Sequence, residues 1–442
     1  MQAMKRAKTG LVQGQLFGSR IAAERFRVDE ATGVVTRVVT LRAPDAPPVA
    51  TEVGAWDRAV ALDDLRAAAD LSYLQRKTPP AISGGPEVRV ADLFSGCGAM
   101  SLGVLEACRA VGRTFVPAGA FDINQRVLDV YSRNFATAKQ AATDLSEVLC
   151  GDLQSGVTDR EAALVESLGR VDFAIAGPPC QGHSNLNNRT RRNDPKNELY
   201  FLVARFAKLF RPRWIVIENV VAVLHDKGDV VHRTQVALED MGYETADGIV
   251  DLWSIGVAQT RRRHIMVAQL RDPRETGPRI LPYLEDLIAP YITRPRAVRW
   301  AIEDLLNVSA ESFMDLPRKP DEITQARIDY LFDHALYDLP KSQRPPSHKG
   351  EHGDSYKSVY GRMRWEDPAP TMTGGFSTMG QGRFVHPRRR RTITPHEAAR
   401  IQFIPDFFDF SPIGDNKGVL TETIGNAVPP KLSYVLALEL LR

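Results

Sequence analysis

Short apolar runs alternate with longer amphipathic stretches through the middle of the chain. One run, at 88–94, ends in a glycine-rich turn; others occupy 114–121, 171–176, 214–218 and 264–269. Each has strand length, and a stretch with helical spacing of apolar positions comes after it. Buried strands alternating with helices predict a mostly parallel sheet covered on both faces. In such sheets ligands sit beyond the carboxyl ends of the strands. The residues just after each run are therefore the candidates for chemistry.

The pattern differs on either side of this block. Val34, Val35, Val38, Val39 and Leu41 predict a strand, with a turn at Thr32 and Gly33 before it. Pro44, Pro47 and Pro48 interrupt the chain beyond that strand, and the Ala- and Leu-rich stretch 57–77 predicts a helix. Residues 78–86 hold three prolines and two glycines and read as a linker. Residues 1–85 thus read as a separate extension, a cap or interaction arm without a chemical motif. The rhythm is lost from 271 to 390, with a long irregular stretch over 340–387, and helical spacing returns from Thr392 to the end. This predicts a main domain over 86–270, an inserted module over 271–390, and a return to the main domain over 391–442.

Composition narrows the classes. With 442 residues, 43% hydrophobic and 25% charged, the chain is neither disordered nor collagen-like. No apolar run approaches the ~18 residues of a membrane span, and the start lacks the apolar core of a secretory signal. Cys97, Cys108, Cys150 and Cys180 form no C-x-x-C pair, so neither a metal site nor a disulfide framework is implied, and a reduced cytoplasmic setting is expected. The net charge of +3 is too small to argue for nucleic acid by itself. Its clustering says more.

The first run leads into Phe94, Ser95, Gly96, Cys97 and Gly98, and a helix starts there. Glycines at this point let a backbone approach a ligand, and a helix N-terminus favours a negative group. A tight turn explains the same residues. Asp122, closing the second run, is placed to hold ribose hydroxyls, and Asp152, after a further strand, to accept from an adenine amino group. Together they suggest a nucleoside cofactor, a dinucleotide or S-adenosylmethionine.

The run 171–176 leads into Gly177, Pro178, Pro179, Cys180, Gln181, Gly182, His183 and Ser184. Two prolines stiffen the chain around Cys180, as a positioned nucleophile requires. Arg189, Arg191, Arg192 and Lys196 supply the positive surroundings that lower a thiol pKa. A buried structural cysteine is the alternative. His183 lies too near in sequence to favour a Cys–His dyad. Glu218 leaves an apolar strand, where burial raises a carboxyl pKa and makes a proton donor; a capping or salt-bridged residue is the alternative. Arg261, Arg262 and Arg263 are adjacent, and on an extended chain the outer two share a side and one polar ligand.

These fragments, in this order, resemble the DNA (cytosine-5) methyltransferase family of bacterial type. The resemblance rests on Asp-Leu-Phe-Ser-Gly-x-Gly, Gly-Pro-Pro-Cys-Gln-Gly, Glu-Asn-Val, Gln-x-Arg-x-Arg, Thr-Pro-His-Glu-Ala-Ala-Arg-Ile-Gln and Gly-Asn-Ala-Val-Pro-Pro. It covers two blocks, 88–270 and 391–442. It implies an α/β fold: a Rossmann-like S-adenosylmethionine-dependent methyltransferase sheet with an inserted smaller target-recognition domain at 271–390, beside the N-terminal extension. It implies that Cys180 attacks carbon 6 of a flipped-out cytosine, that Glu218 holds ring nitrogen 3, and that Arg263, supported by Arg261, contacts the base. S-adenosylmethionine would lie on Phe94, Ser95, Gly96, Cys97 and Gly98, with Asp122, Ile123, Asp152, Pro179, Leu199 and Asn426 completing its pocket. Ala99, Asp122, Ile123 and His183 depart from the residues common in the family. Double-stranded DNA would meet Gln181, Ser184, Arg189 and Thr373, with Thr371, Gly374, Gly375 and Gln381 nearby, and the run Arg388, Arg389, Arg390 and Arg391 would contact phosphate. The resemblance also implies a role in restriction-modification or phage defence, with a cognate restriction or defence component as partner and the nucleoid as the place of action. Competing readings are a tRNA methyltransferase, a silent DNA-binding regulator, and a nicotinamide-dependent dehydrogenase. The last is suggested by the glycine loop alone, which has Ser101 where a third glycine would stand.

Overall fold

The computed structural model describes residues 24–42, 45–56, 64–81, 84–135, 140–179, 199–272, 274, 280–346 and 359–442. Its strands in chain order are β1 (Glu24–Val28), β2 (Val34–Val39), β3 (Val49–Ala55), β4 (Glu87–Leu93), β5 (Thr114–Asp122), β6 (Gln140–Ala142), β7 (Phe173–Ala176), β8 (Trp214–Val220), β9 (Tyr243–Asp251) and β10 (Arg262–Leu270). The first three form an antiparallel sheet, its first hairpin turning at Gly33 with φ of 75°. The others form a seven-stranded sheet in the order β6-β5-β4-β7-β8-β10-β9. It is parallel except for β10, which runs against both neighbours.

All five apolar runs of the main domain are strands of this sheet. The expected mixed α/β architecture holds. Four strands lay outside the apolar pattern: β1, β3, β6 and β9. β3 and β9 carry Gly, Glu, Asp or Ala where a strand signal needs branched or aromatic residues. Neighbours hold them instead. A Cβ on Gly54 would stand 2.5 Å from the Ser72 carbonyl, and one on Gly248 would meet Leu284 at 3.2 Å, so each strand packs tightly against the helix beside it.

Alternation along β4 feeds two cores. Val88 and Val90 enter one layer, Ala91 and Leu93 the other. The first layer contains the helices Ala99–Ala110 and Pro430–Leu441, which approach so closely that a Cβ on Gly103 would lie 2.1 Å from the Pro430 carbonyl. The last helix thus packs in the same layer as the helix that follows β4.

Two expected boundaries move. The extension is not a separate piece: Val35, Val39, Val53, Ala69, Tyr73 and Leu74 belong to the same core as the sheet. Its outward polarity hides this, because buried charges make part of the contact. Likewise Leu281, Leu284, Leu287, Tyr291, Val298, Ile302 and Leu305 enter the main core, although they fall within 271–390. The inserted module has its own small cluster, Ile328, Leu331, Leu339, Met379 and Val385.

Candidate active site

The chain enters the sheet at β4, builds outward to β6, then returns to β7 on the other side of β4. Loops after β4 and β7 diverge at that reversal and leave a crevice where ligands bind. The loop after β4 holds the expected cofactor residues. Phe94 takes a left-handed φ of 63°, which costs a non-glycine residue of order 1–3 kcal/mol. The amide of Ser95 donates to the Phe121 carbonyl at 2.8 Å, and that of Gly96 to Asp122 Oδ2 at 3.0 Å. Asp122 Oδ1 accepts from the Asn124 amide at 2.9 Å. The carboxylate is thus fixed, with lone pairs left for hydroxyl donors.

The two glycines have different tasks. Gly96, φ 54°, faces open space: nothing lies within 4 Å of a Cβ built on it, so it forms a cradle. A Cβ on Gly98, φ 89°, would stand 2.5 Å from the Phe135 ring. That glycine serves packing. Ile123, next to the fixed carboxylate, is 77% exposed and offers an apolar surface for a flat ring. Open cradle, fixed carboxylate and apolar platform together fit a nucleoside-bearing ligand. Ser95 and Cys97 are buried, and burial pushes the Cys97 thiol up to about 12, so any contact from Cys97 comes through its backbone. Beneath the loop Asp92 accepts from Ser101 Oγ at 2.6 Å, and burial raises its pKa to about 7.

Asp152 is exposed on a loop held from behind. Arg205 donates to the Asp152 carbonyl at 2.7 Å and the Gly156 carbonyl at 2.7 Å, while Lys208 donates to the Leu153 carbonyl at 2.6 Å. Arg205 is in turn paired with buried Glu161 at 2.5 Å. Glu161 also closes a capping box with Thr158 and accepts from the Gly151 amide at 3.1 Å. A Cβ on Gly151 would lie 2.2 Å from Arg205 Nη2, so only glycine fits there. These buttresses escaped the sequence reading. Only the T-x-x-E capping box was locally visible.

Glu218 is buried near the end of β8, 2.6 Å from Arg263 Nε. Its Oε2 lies 3.7 Å from a Cβ built on Gly177, the residue that opens the Pro178–Pro179 turn. The neighbouring Asn219 donates to the Pro178 carbonyl at 3.4 Å. Thus β8 sets a carboxylate and an amide clamp against the chain leading to Cys180. Cys180 itself, with Gln181, Ser184 and Arg189, lies outside the described residues. Pro179 is half-buried on the near side of that segment and Leu199 half-buried on the far side.

The arginine pair divides. β10 begins at Arg262, so Arg261 is not part of the strand alternation that was to place it beside Arg263. Arg261 donates to the Met372 carbonyl at 3.0 Å and the Gly425 carbonyl at 3.4 Å. Arg263, by contrast, lies 2.6 Å from Glu218 through its Nε. Gln259, buried beside it, donates to Gln402 Oε1 at 2.7 Å and accepts from the Met372 amide at 3.1 Å. Gln402 donates to the Ile424, Gly425 and Ala427 carbonyls. This network seats Thr373 and Gly374 against the end of helix Lys417–Asn426, so Thr373 and exposed Asn426 lie in one neighbourhood.

The run at 388–391 is not one patch. Arg391 is bidentate to buried Glu397 at 2.8 and 2.7 Å, and Arg390 pairs with Asp333 at 2.6 Å. Arg389 donates to the Leu306 carbonyl, and Arg388 lies over the Trp365 ring at 4.9 Å. Neither of the latter two has an acidic partner among the described residues. No helix among those residues is long and apolar enough to cross a membrane.

Comparison with known proteins gives a consistent picture. Residues 88–442 match the family model described as C-5 cytosine-specific DNA methylase. The chain is 42% identical to the Type II methyltransferase M1.BsuMI of Bacillus subtilis, over 84% of this chain and 85% of that one. It is 28% identical to DNA (cytosine-5)-methyltransferase 1A of rice, Oryza sativa subsp. japonica, over 79% of this chain and 28% of that much longer one. A prophage-encoded DNA modification methyltransferase from E. coli shares the fold, with a TM-score of 0.56 at 21% identity, over 80% of this chain and 98% of that one.

Proposed function

Since the chain belongs to the C-5 cytosine-specific DNA methylase family, and so methylates carbon 5 of cytosine in DNA, we propose that Cys180, Glu218 and Arg263 carry the reaction at the β4–β7 crevice. The observation that carries this reading is the buried Glu218–Arg263 pair, 2.6 Å apart, set against the turn that leads into Cys180. S-adenosylmethionine supplies an electrophilic methyl group on a sulfonium sulfur. The fit of its pocket rests on the cradle at Gly96, the carboxylate of Asp122, the exposed Ile123 and the buttressed loop of Asp152.

The target cytosine is reached only after flipping out of the duplex. The Cys180 thiolate bonds to carbon 6, and the ring electrons move toward carbon 5, turning a poor nucleophile into an enamine. Glu218 bonds ring nitrogen 3 and protonates it as negative charge builds there. Arg263 holds Glu218 in place and presents donors to the base carbonyl. After carbon 5 gains the methyl group, a base removes the carbon 5 proton, ring nitrogen 3 returns its proton to Glu218, and Cys180 leaves as the thiolate, restoring the aromatic ring. Arg261 acts as a positioning residue, since its hydrogen bonds go to the carbonyls of Met372 and Gly425.

The relatives' Type II designation supports a place in restriction-modification. On this reading the enzyme marks the DNA of its own cell, in the cytosol at the nucleoid, alongside a cognate restriction component. Phosphate contacts from Arg388 and Arg389, and contacts from Gln181, Ser184, Arg189 and Thr373, complete the DNA path. A tRNA substrate, a silent regulator and a dehydrogenase have no feature in their favour beyond those this reading uses.

Base-resolution 5-methylcytosine mapping of host DNA tests the assignment. The wild type is expected to methylate one short recurring sequence. Cys180→Ala is expected to leave none while retaining DNA binding, and Glu218→Gln to slow methylation by at least about 100-fold, the lower range for loss of a general acid. Methylation by Cys180→Ala would refute the nucleophile.

A further inference from the structure

The inserted module carries a ladder of guanidiniums and aromatic rings. Arg364 lies over Tyr337 at 4.0 Å. Arg362 is sandwiched between Tyr337 at 4.7 Å and Phe332 at 4.4 Å. Arg390 closes the far end over Phe332 at 5.4 Å. Arginine–aromatic pairs of this kind fix the plane of the guanidinium while leaving its N–H edge free.

The rungs differ in how that edge is used. Arg390 gives its edge to Asp333 and Asp329, at 2.6 and 3.4 Å. Among the described residues Arg364 has one acidic neighbour, Asp367 at 3.8 Å, beyond hydrogen-bond reach, and its side chain is 57% exposed. Arg362 makes no side-chain hydrogen bond or ion pair among the described residues, and its Nε is buried without a partner. An unpaired buried donor costs of order 1–3 kcal/mol, and the rest of this half-buried guanidinium has no acceptor of its own among the described residues.

The ladder is also tied to the active site. Residues 361–363 are bridged to Val385, and a few residues on, Ala369 accepts from the Thr260 amide at 2.8 Å. Thr260 stands three residues before Arg263. A short stretch of chain, 363–369, thus joins the ladder to the strand that carries Arg263. We infer that Arg364 and Arg362 read the major-groove edge of a guanine in the recognition sequence, an inference that rests on the proposed DNA-methylating site. Guanine offers O6 and N7 in one plane, the acceptor pair that a fixed guanidinium matches, and this is the commonest specific arginine contact to DNA. A phosphate can also accept a planar fork, but it carries no sequence information, so the two targets separate by the base dependence of binding.

The test uses the full chain and duplexes carrying the sequence mapped for the wild type, together with its single-base variants. Arg364→Lys keeps the charge and loses the planar fork; Arg362→Lys is the second variant. Each is expected to bind the mapped duplex roughly 5- to 150-fold more weakly. Neither is expected to lose affinity for the duplex in which that one guanine is replaced, and their methylation maps should become degenerate at that position. Unchanged affinity and an unchanged map would overturn the inference. So would uniform weakening of Arg364→Ala on every duplex, with a salt slope lower by about one, which marks a phosphate contact. A parallel Cys180→Ala arm separates the two readings: continued methylation there refutes the nucleophile and leaves the guanine result standing.

Discussion

Glu161→Gln probes the buttress behind Asp152. In the wild type Glu161 is fully buried and accepts from Arg205 at 2.7 and 2.5 Å, from the Thr158 amide at 2.9 Å and from the Gly151 amide at 3.1 Å. The Arg205 guanidinium, with these amides and against the cost of burial, lowers its carboxyl from 4.5 to about 2. A depression of that size corresponds to about 3 kcal/mol of folded-state stability at neutral pH. Loss of one partner of a buried pair costs about 3–5 kcal/mol, the same scale by a separate route. The sign comes from the lowered folded-state value. The stabilisation is complete well above pH 4.5 and is lost as the pH falls toward 2. About 1 kcal/mol of it is gone by pH 4 and about 2 by pH 3. Urea unfolding of both proteins at pH 7, 5, 4 and 3 is the assay. The variant should be less stable by about 3 kcal/mol at pH 7, and the gap should narrow on acidification. S-adenosylmethionine should also bind more weakly, because Arg205 no longer fixes the Asp152 carbonyl. A gap below about 1 kcal/mol at pH 7, or one independent of pH, would refute the reasoning.

Two further outcomes are expected. Alanine at Arg388 and Arg389 should flatten the salt dependence of DNA binding by up to about one unit of slope per lost phosphate contact, whereas alanine at Arg390 and Arg391, already paired with Asp333 and Glu397, should leave the slope unchanged. Equal effects from both pairs would place the acid-bound arginines on the DNA. Iodoacetamide on the native protein at pH 8 should label exposed Cys150 far faster than Cys97 and Cys108, whose thiols burial pushes up to about 12. Mass spectrometry of the digests showing equal rates would contradict that burial.

The site was legible where chemistry dictates a residue type at a strand end. Phe94 to Gly98, Asp122, Glu218 and Arg263 all lie at the ends of apolar runs, and the strand order sets those ends along one edge of the sheet. Geometry beyond the strand was not legible. Arg261 looked like a partner of Arg263, yet β10 starts one residue later and its neighbour turns to Met372 and Gly425. The arginine run looked like one field of charge. Two of its members are neutralised by Asp333 and Glu397, which lie 57 and 6 residues away, and no local rule pairs them. Arg205 and Glu161 are 44 residues apart and meet only because two helices pack. Long-range pairing of buried charge has no periodicity to read.

The same blindness explains the extension. Without a chemical motif it read as a separate cap or interaction arm. In the fold, Arg37 donates to Glu106 at 2.9 Å, and Glu106 is held again by Arg109 at 2.7 Å. Asp70 lies 2.8 Å from Lys431 and 2.7 Å from Arg296, with all three buried. Each faces an opposite charge; Asp70 sits below its ordinary value against the cost of its burial, through Lys431 and Arg296. Glu106 belongs to the helix that starts at the Gly96–Gly98 cradle, and Lys431 to the helix that starts just after Asn426. Removing the extension would take the carboxylate from Lys431 and one of two guanidiniums from Glu106. A buried charge left without its partner costs several kcal/mol. A chain cut to 88–442 is therefore expected to unfold at lower urea than the full chain, and equal midpoints would contradict that reasoning.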